Sequence, residues 1–110
     1  MSYIPEQGDI IDINFDPSAG KGIIKRRPAY VLSKKMLNEH VELAIVAPIT
    51  STNRGISMEV PLSNTMKTTG VILPYQMRSL DFESRDASFI EKAPQEVIDA
   101  VRKIAKLLIS

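Results

Sequence analysis

The feature that most constrains this chain lies at its end. Val97, Ile98, Val101, Ile104, Ala105 and Leu108 recur at helical spacing, which lines one face of an α-helix with apolar side chains. Pro94 suits the first turn of that helix, where its missing N–H would have had no partner in any case. Glu96 and Asp99 fall near the start and Arg102, Lys103 and Lys106 near the end, which complements the helix dipole. A helix with a single apolar stripe must bury it against another layer. The rest of the chain therefore has to supply a surface for it.

The upstream residues have the patterning of short strands. After Gly8-Asp9, Ile11, Ile13 and Phe15 alternate with Asp12, Asn14 and Asp16, the period of a half-buried strand. Asp16-Pro17-Ser18-Ala19-Gly20 supplies turn formers, and residues 18–27 read as a loop. Pro28 to Ser33 reads as a second strand, with Pro28 tolerated at its first position. Lys34 to Asn38 reads as a turn or one helical turn. Val41 to Ile49 is almost continuously apolar and reads as a central third strand. Ser57 to Leu62 alternates, with Met58, Val60 and Leu62 on one side. Short extended pieces follow at Thr69–Leu73, Gln76–Leu80 and Ala87–Ile90, with a polar turn at Asp81–Arg85. Several short strands followed by one terminal helix predict a mainly β (α+β) fold. It would be a small, strongly curved antiparallel sheet or barrel with the helix packed on it.

A length of 110 residues, 44% apolar and 25% charged, suits one compact domain over 1–110. The absence of cysteine excludes disulfides and thiolate metal sites. No apolar run approaches the roughly 18 residues of a membrane span. The N-terminus Met1 to Glu6 lacks the basic and apolar segments of a signal peptide, so the expected location is the cytoplasm. The net charge of +1 argues neither for nor against a nucleic-acid partner, but its distribution is uneven. Lys21, Lys25, Arg26, Arg27, Lys34 and Lys35 fall in one stretch, with no acid between Asp16 and Glu39. Such an excess is either a functional positive patch or a solvated surface.

Several chemistries are ruled out or weak. His40 is the only histidine, so neither a paired-histidine ribonuclease site nor a histidine-rich zinc site can be built within one chain. It lies in an expected turn, with no partner to orient it. Gly20-Lys21-Gly22 is too short for a phosphate-binding glycine loop and precedes no helix. Asp12 and Asp16 share the solvated side of a strand, a weak basis for a metal site. Cations, hydroxyls and amides on loops remain. That set is enough to cleave RNA, which carries its own nucleophile in the 2′-hydroxyl. The protein then has to position the chain, stabilise phosphoryl charge and move protons. Arginine suits the stabilising role because its planar fork binds phosphate bidentately and keeps its charge.

In order along the chain stand Gly8-Asp9-Ile10-Ile11, Phe15-Asp16-Pro17, Arg27-Pro28-Ala29 leading into Val31-Leu32-Ser33, Pro48-Ile49-Thr50-Ser51, Thr69-Gly70-Val71, and Gln76 with Arg78-Ser79. With these pieces the chain resembles the MazF/PemK (Kid) toxins of bacterial toxin–antitoxin pairs over nearly its whole length. The resemblance implies an SH3-like barrel with a C-terminal helix, and a homodimer neutralised by an antitoxin with a disordered acidic tail. It implies a sequence-specific endoribonuclease that acts on single-stranded RNA without metal or other cofactor and leaves a 2′,3′-cyclic phosphate and a 5′-hydroxyl.

By the same resemblance Arg27 and Thr50 are the catalytic positions, and Gln76 and Arg78 belong to an RNA-contacting segment. Lys25, Arg26 and Arg78 would hold neighbouring phosphates, Ser51 is a turn former or a phosphate contact, and Tyr75 could stack a base or donate from its phenol. The chain departs from the family twice. Gly22 stands where many relatives have an acid in the first loop, and Tyr75 where relatives often have an acid before the glutamine. Both changes remove candidate proton-transfer groups. Two alternatives follow: a gyrase poison of the CcdB type, against which the missing tryptophan and the Leu108-Ile109-Ser110 end count, and a catalytically weakened barrel that still binds an antitoxin.

Overall fold

A computed structural model of the chain describes residues 3–15, 26–52, 55 and 57–109. Its centre is three antiparallel strands, β1 (Asp9–Asn14), β2 (Arg26–Val31) and β3 (Ala44–Thr50). Successive strand residues face opposite ways, and here both faces are apolar. On one face Ile10, Tyr30, Ala47 and Ile49 pack with Val97 and Val101 of the helix α2 (Gln95–Ile109). On the other, Ile11, Ile13, Ala29, Val31, Ala44 and Val46 pack with Leu80 and Phe82. Ile10, Ile11 and Ile13 are all fully buried, so β1 is covered on both sides where its alternation predicted a half-buried strand.

The remaining strands extend this centre. The order is β4–β5–β3–β2–β1–β7, with β4 at Val60–Pro61, β5 at Val71–Ile72 and β7 at Ser88–Lys92; β6 (Arg78–Leu80) pairs separately with β3. β3 is thus a hub. Its second half pairs with β5 through Ile49↔Ile72 and its first half with β6 through Ala44↔Leu80. Pro48 lies between the two, and its carbonyl accepts the Leu73 N–H at 3.0 Å. A strand residue's N–H and C=O point the same way, so the donor that proline lacks faces the fork between β5 and β6. There the chain turns through a 3₁₀ segment at Pro74–Gln76 and no ladder partner is needed, which is how a central strand tolerates a proline.

The sheet is strongly curved and antiparallel and carries the C-terminal helix, as predicted, but no strand ladder closes it into a barrel among the described residues. Side chains bridge the gap instead. The Phe15 carbonyl, just beyond β1, accepts from an Arg78 Nη at 2.5 Å and an Arg85 Nη at 2.8 Å. The Asn14 N–H donates to the Arg85 carbonyl at 3.0 Å. The Arg78 guanidinium also stands 4.5 Å from the centre of the Phe15 ring, within cation–π range.

Several boundaries differ from the sequence reading. Arg26 and Arg27 belong to β2 rather than to a loop, while positions 16–25 of that loop lie outside the described residues. The turn expected at Lys34–Asn38 is a helix, α1 (Lys35–Val41), stopped by Glu42 in the left-handed region (φ 59°), whose N–H bonds to the Asn38 carbonyl. That stop delays β3 to Ala44. The strands expected at 57–62 and 69–73 shrink to Val60–Pro61 and Val71–Ile72, with the loop between them anchored from β7. The Glu91 carboxylate there accepts both the N–H and the hydroxyl of Thr68, each at 2.7 Å, and the Lys67 N–H at 3.1 Å. Burial would raise the Glu91 pKa, but these hydrogen bonds outweigh it and hold it below the usual glutamate value.

Asn38, expected within a turn, is fully buried. Its amide donates to the Pro5 carbonyl at 2.9 Å and the Ser33 carbonyl at 3.1 Å, and its Oδ1 accepts from the Ser33 hydroxyl at 2.5 Å. The Ser33 hydroxyl in turn accepts the Ile45 N–H at 2.8 Å. One side chain thus ties the N-terminal segment to the β2–α1–β3 connection. Asn38→Ala leaves several buried groups unpaired and is expected to cost about 3 kcal/mol in urea denaturation. A loss below ~0.5 kcal/mol would show that the network is not needed.

Candidate active site

Strand register decides which of the sequence-predicted residues meet. Arg27 is opposite Ile13 on β1, so it shares the face of the Ile11–Ile13–Phe15 cluster. Ala29 is opposite Pro48, the last pair of the β2–β3 ladder, and by period-two alternation Arg27, two residues before Ala29, and Thr50, two residues after Pro48, lie on the face which that pair shares. Arg78 is opposite Val46, another member of the same cluster. Arg27, Thr50 and Arg78 therefore stand on one face of the sheet, at the rim of one apolar cluster, although they come from β2, β3 and β6. Arg27 is exposed, and its guanidinium has no hydrogen-bond or ion-pair partner among the described residues. Arg78 is also exposed, but its guanidinium is already engaged by Phe15.

Period-two alternation separates Arg26 from Arg27. Arg26 turns to the other face, where its Nε lies 2.7 Å from Asp12 Oδ2 and its Nη1 3.4 Å from Asp86 Oδ2. A second Nη bonds the Asp12 carbonyl at 2.9 Å and the Asp86 carbonyl at 2.7 Å. This pairing anchors the start of β2 to β1 and to the turn before β7. The structure does not bring Arg26 together with Arg27. Lys25, Lys21 and Gly22 lie outside the described residues.

Thr50 is half-buried. Its Oγ1 accepts the Thr52 N–H at 3.2 Å, a local turn contact typical of threonine. Accepting that bond fixes the oxygen and leaves the hydroxyl proton available to a ligand. Ser51 beside it is exposed. The backbone at Thr50 is in turn fixed by Gly70. A Cβ on Gly70 would fall 2.4 Å from the Thr50 carbonyl oxygen, and its φ is +126°, a region that other residues rarely adopt. The glycine of Thr69-Gly70-Val71 thus allows β5 to reach the end of β3, where Thr50 pairs with Val71.

Tyr75 and Gln76 lie on the 3₁₀ turn and are exposed. The Tyr75 hydroxyl points to Glu59 Oε2 at 3.4 Å, a long contact. Glu59 is only 7% exposed, and the sequence reading missed it. It lies between Met58 and Val60 on the side of an alternating run that should face solvent, so no local pattern marked it. The turn at Pro74–Gln76, which brings the Tyr75 hydroxyl to it, is visible only in the fold. Among the described residues, no group of three or more His, Cys, Asp or Glu side chains could hold a metal ion. His40 is exposed on α1.

Gly70→Ala forces either the backbone or Thr50 to move. It is expected to destabilise the protein by about 2–3 kcal/mol, read as a shift of the urea midpoint at unchanged slope. A midpoint equal to that of the unaltered protein would show that the close approach of β5 to Thr50 is dispensable.

Comparison with known proteins identifies the family. Residues 6–109 match the family model described as PemK-like, MazF-like toxin of type II toxin-antitoxin system. The chain is 32% identical over 107 residues to the endoribonuclease toxin MazF of Escherichia coli K12, covering 97% of this chain and 96% of that one. It is 37% identical over 101 residues to the endoribonuclease toxin ChpB of the same strain, covering 86% and 84%. Among solved structures, MazF from Deinococcus radiodurans superposes with a TM-score of 0.87 at 37% identity over 98% of each chain. With the fold, the motif order and these matches in agreement, the chain belongs to the PemK-like, MazF-like toxin family of type II toxin–antitoxin systems.

Proposed function

We propose that this chain is an endoribonuclease toxin that cuts single-stranded RNA at defined sequences without a metal ion. The observation that carries the proposal is that Arg27 and Thr50 share one face of the neighbouring strands β2 and β3. A cation with no partner among the described residues and a hydroxyl whose oxygen is fixed lie on one face of adjacent strands, each two residues beyond the last β2–β3 pair. In the reaction, the 2′-oxygen attacks the adjacent phosphorus as its proton is removed. The bond from phosphorus to the 5′-oxygen then breaks, and that oxygen gains a proton. The products are a 2′,3′-cyclic phosphate and a 5′-hydroxyl. Arg27 stabilises the charge that builds on the phosphoryl oxygens, and Thr50 donates to one of them and holds the phosphate in line.

Arg78, Ser51 and Lys25 contact flanking phosphates. Tyr75 and Gln76, exposed on the 3₁₀ turn between β5 and β6, receive neighbouring bases by stacking and hydrogen bonding. Arg26 is held by Asp12 and Asp86 and serves the strand instead. Among the described residues no group of His, Cys, Asp or Glu side chains could hold a metal, and phosphate stabilisation is assigned to the arginine.

The partners proposed are a second copy of the chain and a cognate antitoxin with an acidic, disordered tail. MazE–MazF from Deinococcus radiodurans superposes on this chain with a TM-score of 0.86 at 35% identity, which supports an antitoxin partner. No helix among the described residues is long and apolar enough to cross a membrane, consistent with action in the cytoplasm.

The test is to incubate the purified protein with a long RNA in EDTA and map the ends. The expected result is cleavage at a recurrent sequence with cyclic-phosphate ends, slowed roughly 10²–10³-fold by Arg27→Ala. Cleavage unchanged in Arg27→Ala, or none at high enzyme, would sink the assignment. Inhibition of gyrase supercoiling without RNA cleavage would favour a CcdB-type poison.

A further inference from the structure

Arg78 and Arg85 converge on one neutral atom. The Phe15 carbonyl oxygen accepts from an Arg78 Nη at 2.5 Å and from an Arg85 Nη at 2.8 Å, so the two guanidinium groups are held within a few ångströms of each other. A carbonyl satisfies hydrogen bonds but cancels no charge. Among the described residues, ion pairs join Arg26 to Asp12 and Asp86 and Lys92 to Asp9, and neither Arg78 nor Arg85 has one. The acids on the turn that carries Arg85 pair with neither. Asp81 accepts the Ser84 N–H at 3.1 Å, Asp86 lies against Arg26, and Glu83 is exposed. Two like charges held together without a counter-ion repel, and an anion between them would remove that repulsion.

Both arginines are also ready to bind one. An arginine carries five N–H donors. Only one Nη of each is bonded, that of Arg78 to Phe15 and that of Arg85 to Phe15 and, at 3.4 Å, to the Asn14 carbonyl. The Nε and the second Nη of each have no partner among the described residues. Their positions are set beforehand. The Arg78 guanidinium stands 4.5 Å from the centre of the Phe15 ring, and Arg85 is half-buried, so little side-chain freedom remains to be lost on binding. Arg78 is itself exposed, which leaves the pair open to solvent. It pairs with Val46, which lies on the face of Thr50 further back along β3, roughly 13 Å from it at the usual strand rise.

We infer that Arg78 and Arg85 together hold one phosphodiester of the RNA strand, a flanking phosphate separate from the one at Arg27 and Thr50. The two non-bridging oxygens of a phosphodiester offer an acceptor to each arginine, and the planar guanidinium forks suit them. The Phe15 carbonyl keeps the two donors side by side until the phosphate arrives. Arg85 thus turns Arg78 from a single contact into one half of a clamp. The bonds that bridge the open side of the sheet build the site, so RNA bound there also steadies the curl. The inference rests on the proposed function in taking single-stranded RNA as the substrate. It adds Arg85, which neither the alternation of the strands nor the order of the motifs singles out.

The probe is a fully 2′-O-methylated single-stranded RNA, which lacks the nucleophile and cannot be cut. It is titrated into the full chain over a range of salt and followed by anisotropy. For single strands the slope of log affinity against log salt changes by about 0.7 per phosphate neutralised. Arg78→Gln combined with Arg85→Gln is expected to reduce the slope by about 0.7, one phosphate for two arginines. Arg85→Gln alone should weaken binding roughly threefold to tenfold in low salt, with the deficit shrinking as salt rises. That single variant keeps the test open if the double one folds poorly, because a merely structural loss lowers affinity by the same factor at every salt concentration. Absence of saturable binding, an unchanged slope in the double variant, a reduction of about 1.4 that would mean two separate phosphates, or an Arg85→Gln deficit independent of salt overturns the inference. So does displacement of the RNA by millimolar inorganic phosphate at constant ionic strength, which would assign the pair to the free ion. RNA cleavage lacking in the unaltered protein while the slope responds would fail the proposed function alone, and cleavage present with an unchanged slope would fail only this site.

Discussion

The structure depends on β1, β2 and β3 being buried on both faces. One layer of strands separates two apolar clusters, one under α2 and one inside the curl of the sheet. Each buried isoleucine or valine side chain contributes about 1.5–3 kcal/mol relative to exposure, and a slip of one residue would move every side chain to the wrong cluster. The register is therefore fixed strongly. Arg27 and Thr50 occupy the positions where this register runs off the end of the inner cluster. Their sharing of a face is a consequence of the strand alternation that the core packing fixes.

One acceptor, with the Asn14–Arg85 backbone bond beside it, bridges the open side of the curl. The Phe15 carbonyl receives two arginines, Arg78 from β6 and Arg85 from the turn that follows it. Charge-assisted bonds of this kind are stronger than neutral ones. They hold the open side of the sheet where strand pairing is absent. Arg78 thereby acquires a second task beside any contact with RNA, and it links the shape of the sheet to the rim of the site. Arg26 has a comparable structural task at the start of β2. Of the arginines at this end of the sheet, Arg27 is the one whose guanidinium has no partner among the described residues.

Much of this was legible in the sequence. The C-terminal stripe predicted α2 to within a residue at its start, and the alternation from Asp9 onward predicted β1. The order of Arg27-Pro28, Thr50-Ser51 and Thr69-Gly70 pointed to the family, and the fold explains two of these pieces physically. Arg27 and Thr50 share a face, and Gly70 lies against the Thr50 carbonyl where a Cβ cannot fit. Other features were not legible because they depend on contacts distant in sequence. Asn38 looked like a turn residue, yet Pro5 and Ser33 bury and satisfy it. Arg26 looked like a phosphate ligand, and only the strand pairing reveals Asp12 and Asp86 beside it. Glu59 sat on the polar side of an alternating run, and the Tyr75 hydroxyl meets it from a turn that local periodicity does not anticipate.

The central claim is that Arg27 and Thr50 act as one unit on the same phosphate. A double-mutant cycle on single-turnover RNA cleavage, with Arg27→Ala, Thr50→Val and the pair, measures this most directly. The register predicts a coupling of about 1 kcal/mol or more between the two positions. Additivity within ~0.3 kcal/mol would contradict it, because residues that act independently on the transition state need not share a face.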